Sequence, residues 1–147
     1  MAGTAYVDSS ALLKLAVREP ETAALEADLA GRDGLVASRL AVVECRRAAR
    51  RASHRRVLQT VDEILDAIYL LEVTPAILDD AAAADPPLLR SLDAIHLATA
   101  LSVGDPRMDV ITYDRRFAEA ARANGLTVVR PGLVDDLVAT AIIRPHP

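Results

Sequence analysis

Short apolar runs alternate with amphipathic segments along the chain. Ala5-Tyr6-Val7, Leu35-Val36-Ala37, Tyr69–Val73, Val110-Ile111-Thr112 and Leu126–Val129 read as short strands. Between them lie segments whose apolar positions recur at helical spacing, such as Val57, Val61, Ile64, Leu65 and Ile68 within the stretch from Arg55 to Ala67. Ser10–Val17 reads as a helix after the first strand. Pro20-Glu21 opens another that stops near Gly31. Ser38 reads as the N-cap of the helix after the second strand. Thr74-Pro75 is a helix start, with a capping hydroxyl before a proline at the first helical position. Pro86-Pro87 ends that helix. Ser91 reads as the cap of the next helix, Leu92–Val103, which is apolar on nearly every side and is expected to be buried. Arg115–Asn124 reads as a helix closed by Gly125.

Strands separated by helices predict an α/β domain with a mainly parallel sheet. The chain has 147 residues, enough for one domain. Residues 1–130 read as that domain, and 131–147 as a C-terminal tail with a possible packing or partner helix over 133–143. With 52% hydrophobic residues the chain does not have the composition of a disordered protein. Its single cysteine, Cys45, excludes an internal disulfide and fits a reducing, cytoplasmic setting. No basic segment precedes the first apolar stretch, and no apolar run approaches the ~20 residues of a membrane span. A soluble protein is expected.

The charge is unevenly placed. The formal net is −4, yet Arg46, Arg47, Arg50, Arg51, Arg55 and Arg56 cluster in one stretch, and without those six charges the remainder carries −10. An acidic body with one basic stretch is suited to a polyanion, although a solvated helix face accounts for the same pattern.

The six glycines form neither a dinucleotide fingerprint nor a P-loop. There is no GxSxG elbow, and Cys45, His54, His96 and His146 lack zinc-site spacing. What remains is a set of carboxylates at element ends. Asp8 closes the first strand, Asp114 follows the fourth, Asp93 opens the apolar helix and Glu44 lies early in the helix after the second strand. In an open parallel sheet the carboxyl ends of strands and the amino ends of the following helices share one edge, where sites are placed. Each residue taken singly also has a structural role. Asp8 and Asp114 can cap helices, Asp93 can complement a helix dipole, and Glu44 can pair with Arg47. Together they repel, at ~4 kcal/mol for two charges 4 Å apart at a protein-surface dielectric. A hard divalent cation offsets that repulsion. His96, one turn beyond Asp93, reads as a packed core residue.

Four pieces in order carry a resemblance. They are Tyr6-Val7-Asp8-Ser9-Ser10-Ala11-Leu12, Glu44 within Arg39–Glu44, Leu92-Asp93-Ala94-Ile95-His96-Leu97-Ala98-Thr99-Ala100, and Thr112-Tyr113-Asp114-Arg115-Arg116-Phe117. Spanning Tyr6 to Arg130, they resemble the PIN-domain ribonucleases, and within them the VapC-type toxins of toxin–antitoxin pairs. The resemblance implies a three-layer α/β/α fold with a central parallel sheet, and a Mg²⁺- or Mn²⁺-dependent endoribonuclease. It carries over Asp8, Glu44, Asp93 and Asp114 as the acidic set. Asp8 and Asp93 are expected to be the main metal ligands, with Glu44 and Asp114 acting directly or through water. Ser9 and Thr112 are supporting hydroxyls. A cognate antitoxin and a homodimer are the implied partners. RNA is the implied substrate, and Arg46, Arg50, Arg51 and Arg55 are candidate contacts to it. Two other readings remain at this point. One is a PIN-like module that binds RNA or protein without cutting. The other is a phosphatase, for which Ser10 stands where a second aspartate is needed.

Overall fold

A computed structural model describes residues 3–133. Five strands form one sheet: β1 (Ala5–Val7), β2 (Leu35–Ser38), β3 (Tyr69–Leu71), β4 (Asp109–Ile111) and β5 (Thr127–Val129). Their order is β3-β2-β1-β4-β5, and every neighbouring pair is parallel. The chain crosses between strands through α1 (Ser9–Ala16), α2 (Thr22–Ala30), α3 (Leu40–Ala52), α4 (Arg55–Asp66), α5 (Pro75–Ala82), α6 (Ser91–Ser102) and α7 (Arg115–Ala123).

Side chains alternate across the short strands, which builds two cores. Ala5 and Val7 of β1 and Ile111 of β4 face a layer that contains Leu12 of α1, Leu25 of α2, Cys45 of α3 and Val61 and Leu65 of α4. Tyr6 and Val110, one position along, face Leu97 and Ala100 of α6 and Phe117 of α7. The expected three layers are therefore present. Fully buried chains such as Leu12, Leu97 and Phe117 each stabilise the fold by about 1.5–3 kcal/mol relative to exposure.

Two caps differ from expectation. Ser38 belongs to β2. Arg39 is the residue before α3 and makes no side-chain cap, while the Ser38 hydroxyl accepts from the Leu40 N–H. Ser91 is the first residue of α6, preceded by Arg90, which is likewise without a side-chain cap bond. Thr74 caps α5 as expected, accepting from Ile77 N–H with Pro75 at the first position. Gly125, at φ +83°, follows α7 in the left-handed conformation that favours glycine. The buried face of α6 holds Ala94, His96, Leu97, Ala98, Thr99 and Ala100, whereas Leu92 and Leu101 are exposed, so this helix is half-covered rather than enclosed. The helix expected over 133–143 lies outside the described residues apart from Leu133.

A buried ion cluster pins the opposite end of the sheet. The Arg32 guanidinium is 4% exposed and meets Asp28 at 2.9 Å and Asp109, the first residue of β4, at 2.5 Å. It ties the loop after α2 to the start of a strand 77 residues later.

Candidate active site

From β1 the chain runs to β2 on one side of the sheet, while β4 docks on the other. The carboxyl ends of β1 and β4 therefore flank a switch point, where open α/β sheets leave a crevice. The β1–β4 register pairs Tyr6 with Val110 and Val7 with Ile111, which brings Asp8 level with Thr112.

Asp8 is buried and serves as the N-cap of α1. Its Oδ1 accepts from Ala11 N–H at 3.1 Å and from the Ser10 hydroxyl at 2.6 Å. Its Oδ2 accepts from the Thr112 hydroxyl at 2.5 Å. The loop after β4 completes the frame. Tyr113 N–H donates to Ser10 Oγ at 2.9 Å and Asp114 N–H to Thr112 Oγ1 at 3.0 Å. Burial holds the Asp8 carboxyl above its ordinary pKa, and this outweighs the opposing pull of the Ser10, Thr112 and Ala11 hydrogen bonds and of nearby His96. The hydroxyl expected of Ser9 belongs instead to Ser10. The side chain after Asp8 starts α1, and only the next one turns back to reach both Asp8 and Thr112.

Glu44 projects from α3. Its Oε1 meets His96 Nε2 of α6 at 2.6 Å, in place of the Arg47 pairing that its spacing allows. His96 is buried, as expected of a core residue. It nevertheless spends both ring nitrogens, because Nδ1 meets the Tyr6 hydroxyl of β1 at 2.9 Å. Burial raises the Tyr6 phenol well above its ordinary pKa, with the charges of Asp8 and Glu44 adding to the effect. Cys45, next to Glu44, is a buried thiol pushed up to about 12 by burial and by the same two carboxylates, so it is inert as a nucleophile.

Asp93 lies in the first turn of α6, and its Oδ2 is buried with no hydrogen-bond partner. The nearest cation, Arg90 Nε, is 3.5 Å from it, beyond a good hydrogen bond. Asp93 also borders a groove of about 370 Å³ between α6 and α7, lined by Leu88, Leu89, Arg90 and Arg116 among others. Asp114 caps α7, its Oδ1 accepting from Arg116 and Phe117 N–H.

The structure thus joins Asp8, Ser10, Thr112 and the Asp114 backbone in one hydrogen-bonded frame, and Glu44, His96 and Tyr6 in another. Asp93 belongs to neither. Among the described residues no three His, Cys, Asp or Glu side chains converge as a ready-made metal cage. The donors are nonetheless carboxylate oxygens, one of them buried and unpartnered. That set fits Mg²⁺, which takes few protein carboxylates and completes its shell with water and substrate phosphate. It does not fit a closed zinc site.

The arginine stretch lies elsewhere. Arg50 and Arg51 occupy the last turn of α3, about 10 Å of helix axis beyond Glu44. Arg55 begins α4, and Arg46 pairs with Asp62 at 3.1 Å. Arg90 and Arg116 share the groove with Asp93; Arg116 stands in the fourth motif piece with no role given to it there, and Arg90 is a single arginine that carries no sequence pattern. Ser10 was signalled only by its place two residues after Asp8, and His96 only by its spacing from Asp93.

Residues 5–123 match the model of the PIN domain. The chain belongs to the PIN-domain family. Within that family its relatives include two ribonucleases of Mycobacterium tuberculosis. Ribonuclease VapC46 is 43% identical over 132 residues, covering 86% of this chain and 96% of its own. Ribonuclease VapC35 is 44% identical over 131 residues, with the same coverage. Among solved structures, this PIN domain superposes on the toxin–antitoxin complex from Klebsiella pneumoniae with a TM-score of 0.66 at 23% identity, covering 86% of this chain and 97% of that one. It superposes on the sarcin–ricin loop cleaving toxin VapC20 of Mycobacterium tuberculosis with a TM-score of 0.67 at 20% identity, covering 86% and 98%. At those identities the two structures bear on the fold, which is that of the PIN family.

Proposed function

We propose that this PIN domain is the ribonuclease toxin of a toxin–antitoxin pair, hydrolysing RNA phosphodiester bonds with a divalent cation held at the acidic edge of the sheet. The observation that carries the reading is Asp8. It is a buried carboxyl whose pKa burial holds up, placed at the β1–β4 switch point with two hydroxyls and an N–H spent on aiming it. Such an arrangement costs stability and returns nothing to the fold that an asparagine cap would not supply. Ribonuclease relatives at 43–44% identity support the same activity.

Asp8 Oδ2 and the unpartnered Oδ2 of Asp93 are the atoms proposed to hold Mg²⁺ or Mn²⁺. Glu44 and Asp114 complete the set directly or through water. When bound, the ion offsets phosphate charge and acidifies water. Ser10 and Thr112 keep the Asp8 carboxylate from rotating. Glu44 keeps one oxygen on His96 and offers the other to take a proton from the attacking water. The water oxygen bonds to phosphorus as the bond to the leaving oxygen breaks, and that oxygen takes its proton from solvent. A cognate antitoxin, a second copy of the chain and a cytoplasmic setting belong to the same proposal.

RNA cleavage by purified protein is expected with Mg²⁺ or Mn²⁺, to stop with EDTA, and to be lost in a matched preparation of Asp93→Asn. Equal cleavage by both proteins would mean a contaminating nuclease or a wrongly assigned residue. Binding of RNA without cleavage by either would favour a non-cutting module.

Phosphate contacts are proposed at Arg90 and Arg116 beside the groove and, further out, at Arg46, Arg50, Arg51 and Arg55. Binding is expected to weaken with salt, at a log–log slope of about −0.7 per contact for single-stranded RNA. Arg116→Ala is expected to make that slope shallower by roughly one contact. The same slope for Arg116→Ala and wild type would remove Arg116 from the RNA path.

A further inference from the structure

Among the described residues, the Tyr6–His96–Glu44 chain is where β1, α6 and α3 meet through polar side chains. His96 is on α6, in the layer that packs against Tyr6 and Phe117. Glu44 is on α3, in the opposite layer. Their 2.6 Å bond therefore passes over the carboxyl edge of the sheet, and the 2.9 Å bond to Tyr6 anchors the ring on β1. Tyr6 and Phe117 also hold the ring by its faces and edges, with centroids 6.4 and 6.0 Å away. A ring with so little freedom does more than fill space.

The proton arrangement follows from the partners. A carboxylate only accepts, so Nε2 of His96 donates to Glu44 Oε1. In the neutral ring Nδ1 then has no proton and accepts, and the Tyr6 hydroxyl is its donor. That one arrangement gives both ring nitrogens, the Tyr6 hydroxyl and Glu44 Oε1 a partner. Glu44 has three rotatable bonds and a half-buried side chain, at 27% exposure. Among the described residues no other side chain fixes its carboxylate.

We propose that His96 is a positioning residue for the acidic site: with its tautomer set by Tyr6, it fixes Glu44 Oε1 across the sheet edge and so aims Glu44 Oε2 at the bound divalent cation or its water. This rests on the reading of Glu44 as a site residue under Proposed function. Partners that orient metal-site groups typically change metal affinity or activity about 10–100-fold when removed.

Three measurements on the full chain test it: ¹⁵N NMR of the His96 ring in metal-free protein, Mn²⁺ affinity by electron paramagnetic resonance, and RNA cleavage kinetics. The ring is expected to carry its proton on Nε2. His96→Leu, which keeps the site apolar and filled, is expected to weaken Mn²⁺ binding about 10–100-fold and to lower kcat while KM for RNA holds. Adding Glu44→Gln to that variant is expected to change little, because Glu44 is already unaimed. Wild-type Mn²⁺ affinity and kcat in folded His96→Leu, with Glu44→Gln alone impaired, would overturn the positioning role and leave the proposed function standing. Glu44→Gln alone without effect on either readout would instead sink the assignment of Glu44 on which the inference rests. If His96→Leu does not fold, Tyr6→Phe, which removes the partner of ring Nδ1, is read instead: weaker Mn²⁺ binding and a lower kcat support the role, and wild-type values of both overturn it.

Discussion

Asp8→Asn is expected to abolish RNA cleavage and, at the same time, to raise the melting temperature of the metal-free protein. The loss of activity should be at least 10²–10³-fold, the effect of deleting a single preorganised charge-stabilising group. The gain in stability follows from linkage. Burial raises the Asp8 pKa in the folded protein, so the native state holds its proton to higher pH than the unfolded chain does. Between those two values the unfolded state binds fewer protons, and stability falls as pH rises. Above the folded pKa the whole penalty is present. Asparagine carries no charge, caps helices as well as aspartate and still presents a carbonyl to Ser10 and Ala11. Its amide can donate to Thr112. The gap in melting temperature should therefore be open at neutral pH and close as pH falls toward the unfolded carboxylate value of about 3.9. Thermal melts in EDTA at several pH values measure it directly. A variant less stable than wild type at neutral pH would mean that the hydrogen bonds to the carboxylate outweigh its burial. Mg²⁺ should raise the wild-type melting temperature and leave that of Asp8→Asn nearly unmoved.

Arg32→Met should have the opposite signature, with a large loss of stability and cleavage per folded molecule preserved. Arg32 is nearly enclosed, while its partners Asp28 and Asp109 are 22% and 24% exposed. Removing the guanidinium leaves two carboxylates side by side without a cation. Breaking a buried pair costs 3–5 kcal/mol. The partial exposure of both partners places this case near 3 kcal/mol, about a 10 °C fall in melting temperature for a domain of this size. Adding Asp28→Asn and Asp109→Asn should return much of that loss, because the unpaired charges go with them. Asp109 begins β4, whereas Thr112 follows its end, so the damage lies at the far edge of the sheet from Asp8. Urea unfolding beside single-turnover cleavage separates the two effects. A loss of less than 1 kcal/mol would show that the cluster is solvated in effect.

These two residues illustrate what a sequence can and cannot convey. Strands only three or four residues long were legible because they are short, mostly apolar runs between helix signals, and the places of Asp8 and Asp114 because each follows such a run. The caps at Ser38 and Ser91 were misplaced because a serine beside a helix start suits the cap, the first turn or the end of a strand equally well by residue type. The frame around Asp8 was only half legible. Thr112 was marked by its motif, but the choice of Ser10 over Ser9 depends on how α1 leaves β1. The bond between Arg32 and Asp109 spans 77 positions, and the bond between Glu44 and His96 spans 52. Neither separation has a periodicity to betray it, since each is set by which strands become neighbours.

The strand order has a consequence for how the protein is born. β1 sits in the centre of the sheet, yet its neighbour β4 is made about a hundred residues later. While the first three strands and their helices emerge from a ribosome, Asp8 has no Thr112 beside it, and Asp114 does not yet exist. An incomplete chain therefore carries one flank of the acidic edge without the other. Full assembly waits for β4 and the loop that carries Thr112 and Asp114. The two flanks of the acidic edge are thus joined only once β4 and the loop after it have been made.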